Sequence, residues 1–186
     1  MGLPKPDYFY LDDGSRFYQN PKYNKEICFI NCKMGREGLV ILPNDLNYLS
    51  IEECHDLKSL SNICLVHEGN QLKTCHIRNC DGIEYVIDQS LSPCNSFQNI
   101  EKLRLQDLCN LRELARVELT FASTSHTPTP PAMFSSLKSY YLRNCSSMKK
   151  LCSLELLQGL QILEEIDVSL RKKNGENNSI RRGGRK

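Results

Sequence analysis

"LKTCHIRNCDGIEYVI" at residues 72–87 has a near-copy further along the chain, "LKSYYLRNCSSMKKLC" at 137–152. Both begin Leu-Lys and reach Arg-Asn-Cys after a short gap. A cysteine repeated in one context admits four readings: metal ligand, disulfide half, catalytic thiol, or one tooth of a structural repeat. Periodicity decides between them. With the first Leu as offset 0, apolar residues fall at offsets 0, 3, 5, 8, 11 and 14. The first phrase gives Leu72, Cys75, Ile77, Cys80, Ile83 and Val86; the second gives Leu137, Tyr140, Leu142, Cys145, Met148 and Leu151. The same comb fits Leu46, Leu49, Ile51, Cys54, Leu57 and Leu60, and again Ile100, Leu103, Leu105, Leu108, Leu111 and Leu114. Every tooth is apolar in a chain that is 40% hydrophobic overall, so the pattern is not accidental.

Partial copies flank the four full ones. Ile27, Phe29 and Cys32 fill offsets 3, 5 and 8 upstream, and Leu163, Ile166 and Val168 fill 0, 3 and 5 downstream before Arg171 breaks the comb. Successive starts lie 22, 26, 28, 37 and 26 residues apart, and the longest interval holds the Ser/Thr/Pro stretch "FASTSHTPTPPAMF", read as a loop. Offsets 3 and 5 differ by two, so they point to one face of a short strand, with 4 and 6 on the other. Offsets 8 and 11 turn the chain, and 14 sends it back. One unit cannot bury its own apolar face, whereas stacked copies build a continuous core and a parallel sheet. The fold expected is an α/β solenoid with mostly irregular or short-helical returns. One helix is expected in "SLELLQGLQILEEI", with Leu154, Leu157 and Leu160 at helical spacing and Ser153 as N-cap.

The remaining composition bounds the function. Residues 171–186 hold seven Lys/Arg and one Glu, so the net charge of +2 hides a body of −4 over 1–170. That basic tail carries no interleaved aromatics and is read as solvated and disordered, not as a nucleic-acid contact. No apolar run approaches the roughly 18 residues of a membrane span, and no secretory leader is visible at the N-terminus. Ten cysteines contain no C-x-x-C, and the four histidines show no ligand spacing with them, so no metal site is expected. Reduced thiols acting as small hydrophobes are expected instead, with Cys54, Cys80 and Cys145 stacked at the turn after each strand. No catalytic motif assembles: Cys75 and His76 are adjacent, but on a strand they point to opposite faces. Neither enzymatic activity nor a cofactor is expected.

The pattern L-x-x-L-x-L-x-x-C/N-x-x-L is that of a leucine-rich repeat. With Cys at the turn, and with phrases such as "LSIEECHDLKSL", "IRNCDGIEYVI" and "LEEIDVSLRKK", the chain resembles the repeat region of plant intracellular nucleotide-binding leucine-rich-repeat disease resistance proteins of the coiled-coil type. The resemblance implies a right-handed superhelix with the parallel sheet on its concave face. It divides the chain into a flanking segment at 1–23, five to six repeats over 24–173 with an insertion near 115–134, and the basic tail at 174–186. The phosphate-binding loop of that family, G-x-x-x-x-G-K-[ST], has no counterpart here; "MGREGLVI" lacks its Lys. The chain therefore reads as a detached repeat region or fragment, with its last repeat uncapped and marginal stability expected.

Function, on this reading, belongs to the outward columns. Offset 4 gives Ser50, His76, Arg104, Tyr141 and Asp167; offset 6 gives Glu52, Arg78, Gln106, Arg143 and Ser169. His76, Arg78, Arg104, Gln106, Tyr141 and Arg143 form a basic and aromatic centre between acidic ends at Glu52, Glu53, Glu164, Glu165 and Asp167. Arg and Tyr are frequent interface anchors. The resemblance implies protein partners (the nucleotide-binding domain of the parent receptor, a pathogen effector or a guarded host protein), a cytoplasmic location, and a role in ligand recognition and autoregulation. Two other readings stay open: an extracellular repeat ectodomain, for which Asn144 and Asn177 are formal glycan acceptors, and the substrate-binding module of a ubiquitin-ligase adaptor.

Overall fold

Offsets 2 to 6 of each repeat form a strand, and the strands stack in one register. The computed structural model describes residues 8–10, 16–19, 25–34, 40–43, 45–65, 71–88, 97–116, 134–148, 150, 160–171 and 177–183. In chain order its strands are β1 (Tyr8–Tyr10), β2 (Arg16–Gln19), β3 (Glu26–Ile30), β4 (Val40–Leu42), β5 (Tyr48–Glu52), β6 (Ile63–Leu65) and β7 (Thr74–Arg78). They continue as β8 (Tyr85–Asp88), β9 (Lys102–Gln106), β10 (Glu113–Arg116), β11 (Ser139–Arg143), β12 (Glu165–Arg171) and β13 (Asn177–Gly183). One nine-stranded sheet runs β1-β2-β3-β5-β7-β9-β11-β12-β13. From β3 to β12 every pairing is parallel and without slip, so Ile27, Leu49, Cys75, Leu103, Tyr140 and Ile166 align in one row. The predicted comb is therefore the physical register of the solenoid.

The comb is also the core. All its teeth in the four full repeats are buried except Met148, which is partly buried, and Leu151, which lies outside the described residues. Burying a Leu or Ile side chain is worth about 1.5–3 kcal/mol, and here each gains its cover from the repeat before and the repeat after. A further tooth at offset −3 escaped the sequence reading: Phe97 and Phe134 are buried, and Leu160 packs on the core. Each of these residues accepts a bond from the backbone N–H of offset 0, at 3.3 Å for Ile100, 3.0 Å for Leu137 and 3.5 Å for Leu163.

The strand ends share one device. Asn31, Glu53, Asn79, Asp107 and Asn144 all occupy offset 7, and all have φ between 53° and 56°. This left-handed conformation costs a side-chain-bearing residue roughly 1–2 kcal/mol, least for Asn and Asp. In return, the turned backbone N–H bonds the carbonyl at offset 6 of the next strand, as from Asn79 to Gln106 at 3.0 Å and from Asp107 to Arg143 at 2.9 Å. The side chain after it drops into the core. Cys54, Cys80 and Cys145 are buried there, with Leu108 in the same place in one repeat and Cys32 at the end of the column. The thiols donate back to offset 6 of their own strand, from Cys80 to the Arg78 carbonyl at 3.2 Å and from Cys145 to the Arg143 carbonyl at 3.5 Å. Burial pushes the Cys145 thiol up to about 11, so it is inert as a nucleophile at neutral pH.

The returns are more regular than expected. They carry two short parallel ladders, β4 with β6 and β8 with β10, and a single 3-10 turn at Leu60–Asn62 among the described residues. Ser59 and Ser61 tie two returns together inside the protein: Ser59 donates to the Val86 carbonyl at 3.2 Å, and Ser61 accepts from the Asp88 N–H at 2.8 Å. Of the stretch expected to be helical, residues 153–159 lie outside the described residues. Residues 160–166 form a turn and the start of β12, because Leu163 and Ile166 belong to the comb.

Both ends of the parallel stack are closed by antiparallel strands. β2 pairs with β3 and carries β1 outside it. At the other end, β13 pairs with all of β12, placing Ile180 opposite Val168. Its basic composition implies a disordered tail and a bare last repeat, and the pairing of β13 with β12 corrects both expectations. Main-chain pairing on an open strand edge demands no apolar pattern, so composition gave no sign of it.

Two substitutions test this account. Glu53 is the residue least suited to offset 7, so Glu53→Asn should stabilise by about 0.5–1 kcal/mol, raising Tm by roughly 2–4 °C per kcal/mol in a chain of this size. Gly82 is buried, and a Cβ there would lie 2.6 Å from the Leu57 carbonyl oxygen and run into the His55 carbonyl. Gly82→Ala should therefore cost about 1–3 kcal/mol. Thermal melts of both variants decide, and a silent Gly82→Ala would contradict the close contact between neighbouring repeats.

Candidate functional site

Because the register is fixed, the outward residues of neighbouring strands stand side by side. One row runs Cys28, Ser50, His76, Arg104, Tyr141, Asp167; the next runs Ile30, Glu52, Arg78, Gln106, Arg143, Ser169. The face is not uniformly open. Ser50 is buried and Cys28 is half-buried, with the Ser50 hydroxyl donating to Glu52 at 3.1 Å. Burial raises the Cys28 thiol to about 11. From β7 onward the same face is exposed to intermediate, and here the cationic and aromatic residues gather.

Two side chains of the first row, with Glu165 on β12, form a chain across three strands. The Arg104 guanidinium lies over the Tyr141 ring, 4.8 Å from its centroid, a cation–π contact. The Tyr141 hydroxyl in turn donates to the Glu165 carboxylate at 2.5 Å. That hydrogen bond, with some help from burial, holds the phenol above its usual range. With Arg104 and Tyr141 both reaching toward β12, a groove of about 430 Å³ opens between the two rows over the backbone of Leu105 and Leu142. His76, Arg104, Gln106, Tyr141 and Arg143 line it from β7, β9 and β11, and Asp167 with Ser169 forms its wall on β12.

Arg78 sits elsewhere. It shares a separate depression of about 240 Å³ with Glu52, Glu53, Asn79 and Asp107. The structure thus brings together five of the six proposed contact residues and sets the sixth among carboxylates. Asp107 is held below its ordinary range although burial opposes this: Asn144 donates to it at 2.7 Å, Gln106 at 2.9 Å, and Arg78 and Arg143 add their charges. The Asn144 side chain is thereby engaged in the turn. On the edge below the face, a ladder of exposed ion pairs crosses the repeats, with Glu101 3.0 Å from both Lys73 and Lys138. Such exposed pairs contribute little energy.

Asp107 has no place among the face residues expected from the sequence, and Glu165, expected only as part of an acidic end, is a direct partner of Tyr141. Their signal was present, since the first is an offset-7 turn residue and the second stands at offset 2 of its strand. What was missing was the direction in which Arg104 and Tyr141 lean. The turn cysteines lie in the core, away from this face. Cys75 is fully buried, and burial raises its thiol to about 12, whereas the neighbouring His76 points outward. Among the described residues no group of three or more His, Cys, Asp or Glu is placed to hold a metal ion. The arrangement offers hydrogen-bond donors, cations and an aromatic ring on one face of a sheet, which is equipment for binding.

Burial lowers the His76 pKa below its ordinary 6.5, with the Arg104 and Arg78 charges acting in the same direction and Glu52 opposing them. A depressed folded-state value means that stability is lost as pH falls through 6.5, where the unfolded chain takes the proton first. An NMR titration should place the His76 midpoint below 6.5, and Arg104→Ala should raise it; a midpoint unmoved by that change would remove Arg104 from the wall of the groove.

A family model described as plant disease resistance protein RPS2-like, leucine-rich repeats, matches residues 30–172. No curated protein and no solved structure matches the chain. The matched span starts at the end of β3 and ends just after β12, so it contains both depressions and the whole cysteine column.

Proposed function

This chain belongs to the RPS2-like leucine-rich-repeat family of plant disease resistance proteins, and on that premise we propose that it is the ligand-recognition and autoregulatory segment of an innate immune receptor. It acts by protein–protein binding and carries out no chemistry of its own. The observation that supports this reading is the groove in which Arg104, stacked on Tyr141, stands beside Arg143 on the sheet's outward face. A guanidinium held on an aromatic ring has already lost much of its conformational freedom, so less is lost when a partner carboxylate binds it. Partners are the nucleotide-binding domain of the parent receptor, a pathogen effector or a guarded host protein, each presenting an acidic surface.

We place the protein in the cytoplasm. The family supports this, and so do the free thiols of Cys28, Cys32, Cys54, Cys75, Cys80, Cys109 and Cys145. No helix among the described residues is long and apolar enough to cross a membrane. The formal glycan acceptor Asn144 has its amide on Asp107, which disfavours the extracellular alternative. Thiol counting after denaturation should find all ten cysteines reactive.

The direct test is charge reversal. Arg78→Glu, Arg104→Glu and Arg143→Glu together should weaken binding to a co-expressed nucleotide-binding domain or effector by about tenfold or more. Arg104 and Arg143 should account for most of the loss, because Arg78 is already surrounded by carboxylates. Binding unchanged in the folded triple variant, measured by co-precipitation and calorimetry, would remove this face from the interface.

A further inference from the structure

Two depressions of opposite charge adjoin on the open face. The larger holds Arg104 and Arg143 against Asp167, a net charge of +1 with His76 neutral. The smaller holds Glu52, Glu53 and Asp107 against Arg78, a net charge of −2. They meet at Gln106 and Asp107, successive residues at the end of β9. The acidic depression centres near β7 and the cationic groove near β11, two strands further along the sheet. At about 4.8 Å per strand spacing, the two centres lie about 10 Å apart along the solenoid axis.

A partner bearing acidic side chains alone would satisfy the groove and be repelled by the depression beside it. A basic partner would meet the reverse. The face is complementary to a ligand that carries both signs in a fixed order. We propose that it docks an extended segment of a protein partner, with an acidic side chain in the Arg104–Arg143 groove and a basic side chain about 10 Å away in the Glu52–Glu53–Asp107 depression. In an extended chain rising about 3.3 Å per residue, that distance is about three steps. Because side chains alternate between faces, two that both face the sheet stand an even number apart, so the charges are about four residues apart with about three intervening, and their long side chains take up the difference. The segment crosses the strands, so its order along the solenoid is fixed by charge while its affinity comes chiefly from the groove. The inference rests on the reading of this face as a protein-binding surface and adds the chemistry of what it binds.

The test uses the full chain and four labelled decapeptides, followed by fluorescence anisotropy at low ionic strength. One peptide carries Lys-Lys and Glu-Glu separated by two serines, one Glu-Glu alone, one Lys-Lys alone, and one the same four charges alternating. The first should bind about tenfold more tightly than any of the others. The double variant Glu52→Gln with Glu53→Asn should reduce its affinity to that of the Glu-Glu peptide and leave the latter no weaker. Equal binding of the first peptide and the Glu-Glu peptide would overturn the inference, as would equal binding of the first and the alternating peptide. If none of the four binds while the partner association still depends on Arg104 and Arg143, this inference falls and the broader reading stands. If that association ignores the arginines, the broader reading falls with it.

Discussion

The corner after each strand is the constraint on which the rest depends. One residue in the left-handed conformation ends the strand, turns its N–H onto the next strand's carbonyl, and points the following side chain into the core. If that corner is lost, the ladder ends one bond early and the cysteine swings toward solvent. The repetition of Arg-Asn-Cys is thereby explained by its middle member as much as by its last. Asn accepts the backbone conformation at low cost, and Cys is small enough, and a sufficient donor, to fill a buried turn beside a carbonyl. Glu53 shows that the geometry is imposed by the stack and not by the residue, since nothing intrinsic to Glu favours a φ of 56°.

The same corner ties fold to function. By fixing where each strand ends, it fixes the register, and the register lines up His76, Arg104, Tyr141 and Asp167 across four strands. Neighbours in such a row interact laterally, so Arg104 stacks on Tyr141, and Tyr141 reaches past its row partner to Glu165, two residues earlier on β12. A groove results that no single repeat contains. The binding surface is therefore a property of adjacency between copies, while each copy by itself supplies only one or two polar side chains.

The acidic and cationic depressions follow from where charges fall in successive copies. Offset 6 is Glu in one repeat, Arg in the next, then Gln, then Arg. Core teeth cannot vary this way without opening a cavity, but outward teeth vary at little cost to stability. A repeat fold thus separates what holds it together from what it displays. Specificity can be rewritten along the outward columns while the comb stays constant.

By itself the sequence determined the strands, their register, the core and the membership of the outward columns, because each is set by the side-chain alternation of a short strand together with the need of every repeat for a neighbour. From Leu46 to Cys145, apolar teeth became buried teeth almost without exception. Only the tertiary structure decided three things: that Arg78 belongs with Glu52 and Asp107 instead of with the other arginines, that Ser50 is covered while His76 beside it is only partly so, and that β13 closes the far edge. The physical reason is common to all three. They depend on which way a long side chain leans, on what lies over one end of a sheet, and on main-chain pairing, and none of these leaves a periodic trace in the order of residues.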